Sequence, residues 1–279
     1  MSIMGSAFRV YLFALSCGLR AIRAGLFVEG LKLLMSPVGY WRFLPNAFVL
    51  EEFLSRQNPR VLDASSPKLL SLMLSSKTSG EVHATDLDDE KIVTRWERLA
   101  RAIGLKNYVV KYEDARRMSY SDESFDLVYS ISVIEHIPGD GDSKALAEFR
   151  RVLKPEGVLV VEVPYRRRRE ELFAEYDSKG APLAQPQFYE RHYDAEWLKE
   201  RLEVEGLQVE KRLILGESLP VDPWIATTRL PRLLRIAILP FEPLLAAVNY
   251  WARPDDDSGR PLAALIVYKK KNRIERRPA

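Results

Sequence analysis

The sequence predicts an α/β protein with a Rossmann-like, doubly wound sheet, mostly parallel with an antiparallel C-terminal hairpin, plus an N-terminal helical extension and two insertions. Three observations carry that prediction. Short apolar runs alternate with stretches of helical period across residues 60–163. Two of the early runs stop on an acidic residue, Asp63 and Asp86, and ligands of parallel sheets bind beyond the carboxyl ends of the strands, where an acid can hold the two hydroxyls of a ribose. The run at residues 125–130 is almost continuously apolar, as a strand covered on both faces must be.

Residues 8–34 are strongly apolar, but Arg9, Arg20, Arg23, Glu29 and Lys32 interrupt them, so no uncharged run approaches the roughly 18 residues of a spanning helix. A signal peptide fits no better, because no small-residue cleavage site precedes further charge. On a helix, Arg9, Ser16, Arg20 and Arg23 fall on one stripe, leaving Val10, Leu12, Phe13, Leu15, Leu19 and Ile22 as a wide apolar face. That face suits a membrane interface and equally well a core or a partner chain. A turn at residues 36–39 leads to Tyr40, Trp41 and Phe43, and Pro45-Asn46 opens a helix over 47–56. These aromatics either pack or line a substrate mouth.

Val61-Leu62-Asp63 is the first strand. Ser66-Pro67 reads as a helix start, with a capping hydroxyl and a proline at the first helical position. Leu69, Leu70, Leu72, Met73 and Leu74 give that helix its apolar face, and it stops near residues 77–80. Residues 81–85 form the second strand. Asp88, Asp89 and Glu90 then put acids in the first turn of a helix that runs to 103 and closes at Gly104. The third strand is 108–112, leading to Asp114-Ala115; a helix over 143–153 and a turn at 154–157 precede the fifth strand, 157–163. Beyond Pro164 the regular alternation stops for about thirty residues, which hold Arg166 to Arg169, Glu170, Glu171 and an aromatic cluster from Phe188 to Tyr193. Asp194 caps a helix over 195–205, and 207–215 and 262–270 are the last two strands. Between them, 216–261 carries seven prolines and an apolar run, 236–252, broken by Pro240, Glu242 and Pro243. The organisation expected is therefore an extension over 1–45, one domain over 46–271 with insertions at 165–193 and 216–261, and a basic tail over 272–279.

The 279 residues, 47% of them hydrophobic, suffice for one sizeable core with additions. A single cysteine, Cys17, excludes an intramolecular disulfide and a thiolate metal cluster, and a reducing, cytoplasmic setting is the simplest fit. A net charge of +3 gives no case for nucleic acid. The basic tail, with the basic stripe near the N-terminus, points instead to an anionic membrane surface, a peripheral position on its inner face.

In order and spacing, Asp114-Ala115, Ser124-Phe125-Asp126-Leu127-Val128, Val133-Ile134-Glu135-His136-Ile137 and the run from Phe149 to Leu159 resemble the class I S-adenosylmethionine-dependent methyltransferases over residues 49–164. One part departs. The first motif of that family is an acid followed by alternating glycines, and Asp63-Ala64-Ser65-Ser66-Pro67-Lys68 has none; Ser65 and Ser66 are the next smallest substitutes. The resemblance implies S-adenosylmethionine as cofactor, with Asp63 by the methionine moiety, backbone at the Ser66-Pro67 helix start for its carboxylate, Asp86 on the ribose, Asp114 on the adenine amino group, Leu87 and Ala115 against the ring, and the backbone of Ser130 and Ile131 facing the ammonium.

Methyl transfer from a sulfonium needs alignment more than covalent catalysis, but a hydroxyl acceptor needs a general base. His136, just past the fourth strand, and His192, in the aromatic insertion, are the candidates. Each also reads as a structural residue, the stronger of its two readings. No spacing of His, Cys and carboxylates makes a metal site. The arginine run could bind an anionic substrate or form a solvated loop. The function expected is methyl transfer to an oxygen of a small or lipid-linked acceptor; a catalytically inactive scaffold of the same fold, binding a partner or membrane, is the alternative.

Overall fold

The structure, a computed structural model, describes residues 2–87, 90–176, 181–221 and 237–272. Asp88 and Asp89, the start of the apolar run at 236, and the basic tail from Arg273 onward lie outside the described residues. Five parallel strands form the expected sheet: β1 (Val61–Asp63), β2 (Val82–Asp86), β3 (Tyr108–Tyr112), β4 (Phe125–Ile131) and β5 (Leu153–Pro164). The later strands are β8 (Leu207–Glu217), β9 (Tyr250–Pro254) and β10 (Arg260–Lys270), and the order across the sheet is β3-β2-β1-β4-β5-β10-β8-β9. β10 runs antiparallel to both β5 and β8, which gives the antiparallel C-terminal end. Strand order reverses at β1, which pairs with β2 on one side and β4 on the other. The crevice outside those strand ends is where such a fold binds ligands.

Alternation along each strand builds two cores. Val61, Leu127, Tyr129, Val158, Val160 and Leu265 face one side, against helices α1 (Ile3–Arg23), α3 (Phe43–Leu54) and α4 (Leu69–Ser75). Leu62, Val128, Leu159, Val161 and Ile266 face the other, against α6 (Gly141–Val152) and α7 (Ala195–Leu202). Both faces are covered, so the strands tolerate continuous apolar sequence. The remaining early helices are α2 (Phe27–Met35) and α5 (Glu90–Ala102).

Of the six residues expected to form the N-terminal apolar face, Val10 is buried, Phe13, Leu15 and Ile22 are half-buried, and Leu12 and Leu19 stay exposed. α1 buries Ala7, Val10, Ala14, Cys17 and Ala21, and Gly18 meets Gly30 of α2 so closely that a Cβ on Gly30 would lie 2.6 Å from the Gly18 carbonyl. Only glycine allows that approach. Leu12 and Leu19 on α1, and Phe27, Val28 and Leu31 on α2, remain exposed.

Three local expectations are corrected. The helix after β1 begins at Leu69 with Lys68 as its N-cap, not at Ser66-Pro67, because the Ser66 hydroxyl accepts the Ile131 N–H at 2.8 Å and is taken from any capping role. The segment after Pro164 is not irregular but a hairpin, β6 (Glu170–Tyr176) with β7 (Pro182–His192), antiparallel and separate from the main sheet. Buried Arg191 ties it down, 3.0 Å from Asp142 on α6 and 2.9 Å from Glu171. The later part of the second insertion forms α8 (Glu242–Asn249), and β9 follows as an eighth strand on the edge of the sheet.

Candidate functional site

At the reversal of strand order, the chain leaves β1 by a tight turn. Ala64 N–H bonds the Tyr129 carbonyl at 2.9 Å, and Ser65 adopts φ 64°, the left-handed conformation that costs a residue with a Cβ about 1–2 kcal/mol. The turn is thus made in the glycine conformation without glycine. One local and one tertiary bond hold it: Ser66 N–H donates to Asp63 Oδ1 at 2.8 Å, and the Ser130 hydroxyl donates to the Ala64 carbonyl at 3.3 Å.

A cavity of about 530 Å³ opens against this turn, lined by Ser65, Asp86, Leu87, Asp114, Ala115, Arg116, Ser132, Val133 and His136, among others. Its size suits a small organic ligand, since such sites run from about 300 to 1,000 Å³. Five residues predicted to hold a cofactor therefore line one cavity: Ser65, Asp86, Leu87, Asp114 and Ala115. The other four, Asp63, Ser66, Ser130 and Ile131, are buried behind its wall. Asp114 is already engaged. Arg116 grips its carboxylate through Nη2 at 2.6 Å and Nε at 3.0 Å, and that side-chain bond holds the Asp114 carboxyl below its usual range.

The turn contains a residue to which the sequence reading gave no role. Lys68 is 2% exposed, and its ammonium lies 2.6 Å from the Ser66 carbonyl, 3.5 Å from Asp86 Oδ2 and 4.0 Å from Asp63 Oδ1. Burial pushes the Asp63 carboxyl up, and the nearby Lys68 charge works against that rise. A buried ammonium requires such partners.

The two histidines part company. His136 lines the cavity, and its Nδ1 lies 2.8 Å from the Tyr189 carbonyl, which assigns the proton to Nδ1 and leaves Nε2 as the acceptor, 3.8 Å from Glu135 and 3.9 Å from Glu190. His192 sits in the hairpin instead, with Nδ1 2.8 Å from Glu170 and Nε2 2.9 Å from Glu190. Burial works to lower its pKa, but the bonds to Glu190 and Glu170 prevail and raise it. With both ring nitrogens donating, His192 has no lone pair to take a proton as placed. The arginine run does not reach the cavity: Arg166 bonds the Leu262 carbonyl, Arg167 those of Asp257 and Gly259, and Arg169 pairs with Glu196.

Beside the cavity stand two buried acids missing from the candidates. Glu162 on β5 accepts the hydroxyl of Ser132, a cavity residue, at 2.9 Å, and burial pushes its pKa up to about 7, against the Ser132 bond and the charge of Arg42. Glu135, 1% exposed, is pushed well above the carboxylate range by burial and then by Glu162. The signal for Glu162 was legible as a lone acid within the apolar run 158–163.

The family described as Methyltransferase domain matches residues 64–161. An uncharacterized protein of Haemophilus influenzae is 30% identical over 106 residues, 37% of this chain and 42% of that protein, so the match spans less than half of that relative's length. The crystal structure of the cyclase SpnF aligns over 84% of each chain with a TM-score of 0.55 at 17% identity. That of coclaurine N-methyltransferase bound to N-methylheliamine and SAH aligns over 81% of this chain and 71% of that one, with a TM-score of 0.53 at 13% identity. At those identities the likeness is one of fold, and a fold hosts more than one chemistry.

Proposed function

We propose that this chain, whose residues 64–161 match the Methyltransferase domain family, is a class I S-adenosylmethionine-dependent methyltransferase that transfers the methyl group to an oxygen of a small or lipid-linked acceptor. The observation that carries the reading is one cavity bringing together the strand-end acids Asp86 and Asp114 with Leu87, Ala115 and His136. The donor set fits an adenosine. Asp86 offers a carboxylate to two ribose hydroxyls, and Leu87 and Ala115 offer apolar contact to a base. Asp114 would meet its amino group with the oxygen lone pairs that Arg116 does not use.

Bound S-adenosylmethionine supplies a methyl group on a positively charged sulfur. This chain's residues would hold it, keep bulk water from it and take up the acceptor's proton. Two acceptors for that proton are at hand: His136 Nε2, and Glu162 reached through the Ser132 hydroxyl. A group with a pKa near 7 is half ionised at neutral pH, the balance that suits a general base.

The same reading extends to a peripheral site on an anionic membrane, where a lipid-linked acceptor resides. Its support is the exposed group Leu12, Leu19, Phe27, Val28 and Leu31, with exposed Arg9, Arg20, Arg23 and Lys32 on the same two helices. Among the described residues no helix is long and apolar enough to cross a membrane.

Calorimetry with S-adenosylhomocysteine tests the cofactor site. Asp86→Ala removes charged hydrogen bonds of about 1.5–3 kcal/mol each, so binding should weaken at least about tenfold while circular dichroism is unchanged. One observation favours the inactive scaffold: the turn after β1 has no glycine, and its Ser66 N–H is already bonded to Asp63. Folded wild type that binds nothing at millimolar S-adenosylhomocysteine would overturn the enzyme reading in its favour.

A further inference from the structure

Lys68 is the feature of the site that neither the glycine-poor turn nor the methyl-transfer chemistry accounts for. It lies at the start of α4, yet its ammonium turns back under the strand ends, to Ser66, Asp63 and Asp86. The two acids are not equivalent. Asp63 has a fully buried side chain and already receives the Ser66 N–H on Oδ1, whereas the Asp86 side chain is 19% exposed and lines the cavity. Of the two carboxylates, the one nearer the ammonium is the one a ligand can reach.

We propose that Lys68 is a positioning residue: its ammonium, locked beneath the strand ends, fixes the direction of the Asp86 carboxylate so that it receives a vicinal diol. The inference rests on the reading that this cavity takes an adenosine ligand, and it names what makes the site selective for the ribose. A carboxylate accepts two hydroxyl protons at once only when both of its oxygens face the diol. The lysine is itself buried and held by a backbone carbonyl, so it defines a direction for Asp86 that a solvated cation would not.

The test is calorimetry on the full chain with three probes, S-adenosylhomocysteine, adenosine and 2′,3′-dideoxyadenosine, using Lys68→Met and the double variant Asp63→Asn/Lys68→Met. The double variant removes the buried acid that Lys68→Met strands, and so carries the comparison if the single variant does not fold. Lys68→Met should weaken S-adenosylhomocysteine and adenosine at least about tenfold. 2′,3′-Dideoxyadenosine, which lacks the diol, should bind the variant and the wild type alike. The double variant should stay as weak as the single one for the diol ligands. Unchanged adenosine binding in Lys68→Met, an equal loss for the dideoxy probe, or recovery in the double variant would each overturn the proposal, the last by showing that Lys68 only neutralises Asp63. Folded wild type that binds none of the probes would overturn the adenosine-site reading itself, a result distinct from all of these.

Discussion

Replacing Glu162 by glutamine should stabilise the protein, and by more as pH rises toward neutrality. Glu162 is 3% exposed, and burial lifts its pKa from 4.5 to about 7. The folded protein therefore keeps this proton over a window in which the unfolded chain has released it. Stability falls with pH between those two values and levels off above the higher one. A rise of that size is worth on the order of 3 kcal/mol between the protonation states, at about 1.4 kcal/mol per unit. Glutamine carries no charge to desolvate, and its amide oxygen can still accept the Ser132 hydroxyl. Glu135, itself raised partly by Glu162, is relieved by the same change, so the two effects share a sign. Urea unfolding at about pH 5 and about pH 8 gives the comparison. The gap between variant and wild type should be small at the lower pH and reach a few kcal/mol at the higher one. A gap that does not change with pH, or one that favours wild type at the higher pH, would refute the argument. If Glu162 also takes up the acceptor's proton, the stabilised variant should transfer methyl groups more slowly, a common trade between stability and activity.

The other expectations can be checked with similarly direct measurements. Ser65→Gly should raise the urea midpoint, because relief of the left-handed serine at φ 64° outweighs the extra freedom of glycine in the unfolded chain by about 0.5–1 kcal/mol; a lower midpoint would mean that the serine side chain contributes more than its backbone costs. Wild type should co-sediment with anionic vesicles, less so in high salt, and Phe27→Ser/Leu31→Ser should weaken that binding. Equal recovery in the supernatant with and without vesicles would remove the membrane from the reading.

The parallel strands β4 and β5 were legible as doubly covered apolar runs; Asp86 followed from its place at a strand end, and Leu87, Asp114 and Ala115 from the resemblance to the methyltransferases. Other parts depend on partners far away in sequence. The hairpin was not legible because β6 and β7 expose most of both faces, so they lack the one-sided alternation by which a strand is read. His192 looked free for catalysis because the register that sets Glu170 opposite it exists only once that hairpin forms. For α1, the side that packs on the core is made mostly of small residues, Ala7, Ala14, Cys17 and Ala21, and not of the larger apolar side chains by which its apolar face was read, a distinction that total hydrophobicity does not carry.

The turn after β1 shows how a left-handed residue can be held without glycine. Glycine serves such a turn by allowing a left-handed residue and a close approach of ligand to backbone. The first service is retained by Ser65, and the strain of roughly 1 kcal/mol is small beside the bonds from Ser66, Ser130 and Ile131 that fix the turn. The second service is reduced, because Ser66 and its backbone are committed inside the protein and Pro67 has no N–H to offer. On the proposed reading, recognition shifts from backbone donors to side-chain charge. Lys68 supplies that charge from within the same turn, against the one strand-end acid that faces both it and the cavity. The absence of glycine and the presence of a buried lysine are thus two aspects of one arrangement, in which the ribose end of a ligand, more than its amino-acid end, would carry the binding energy.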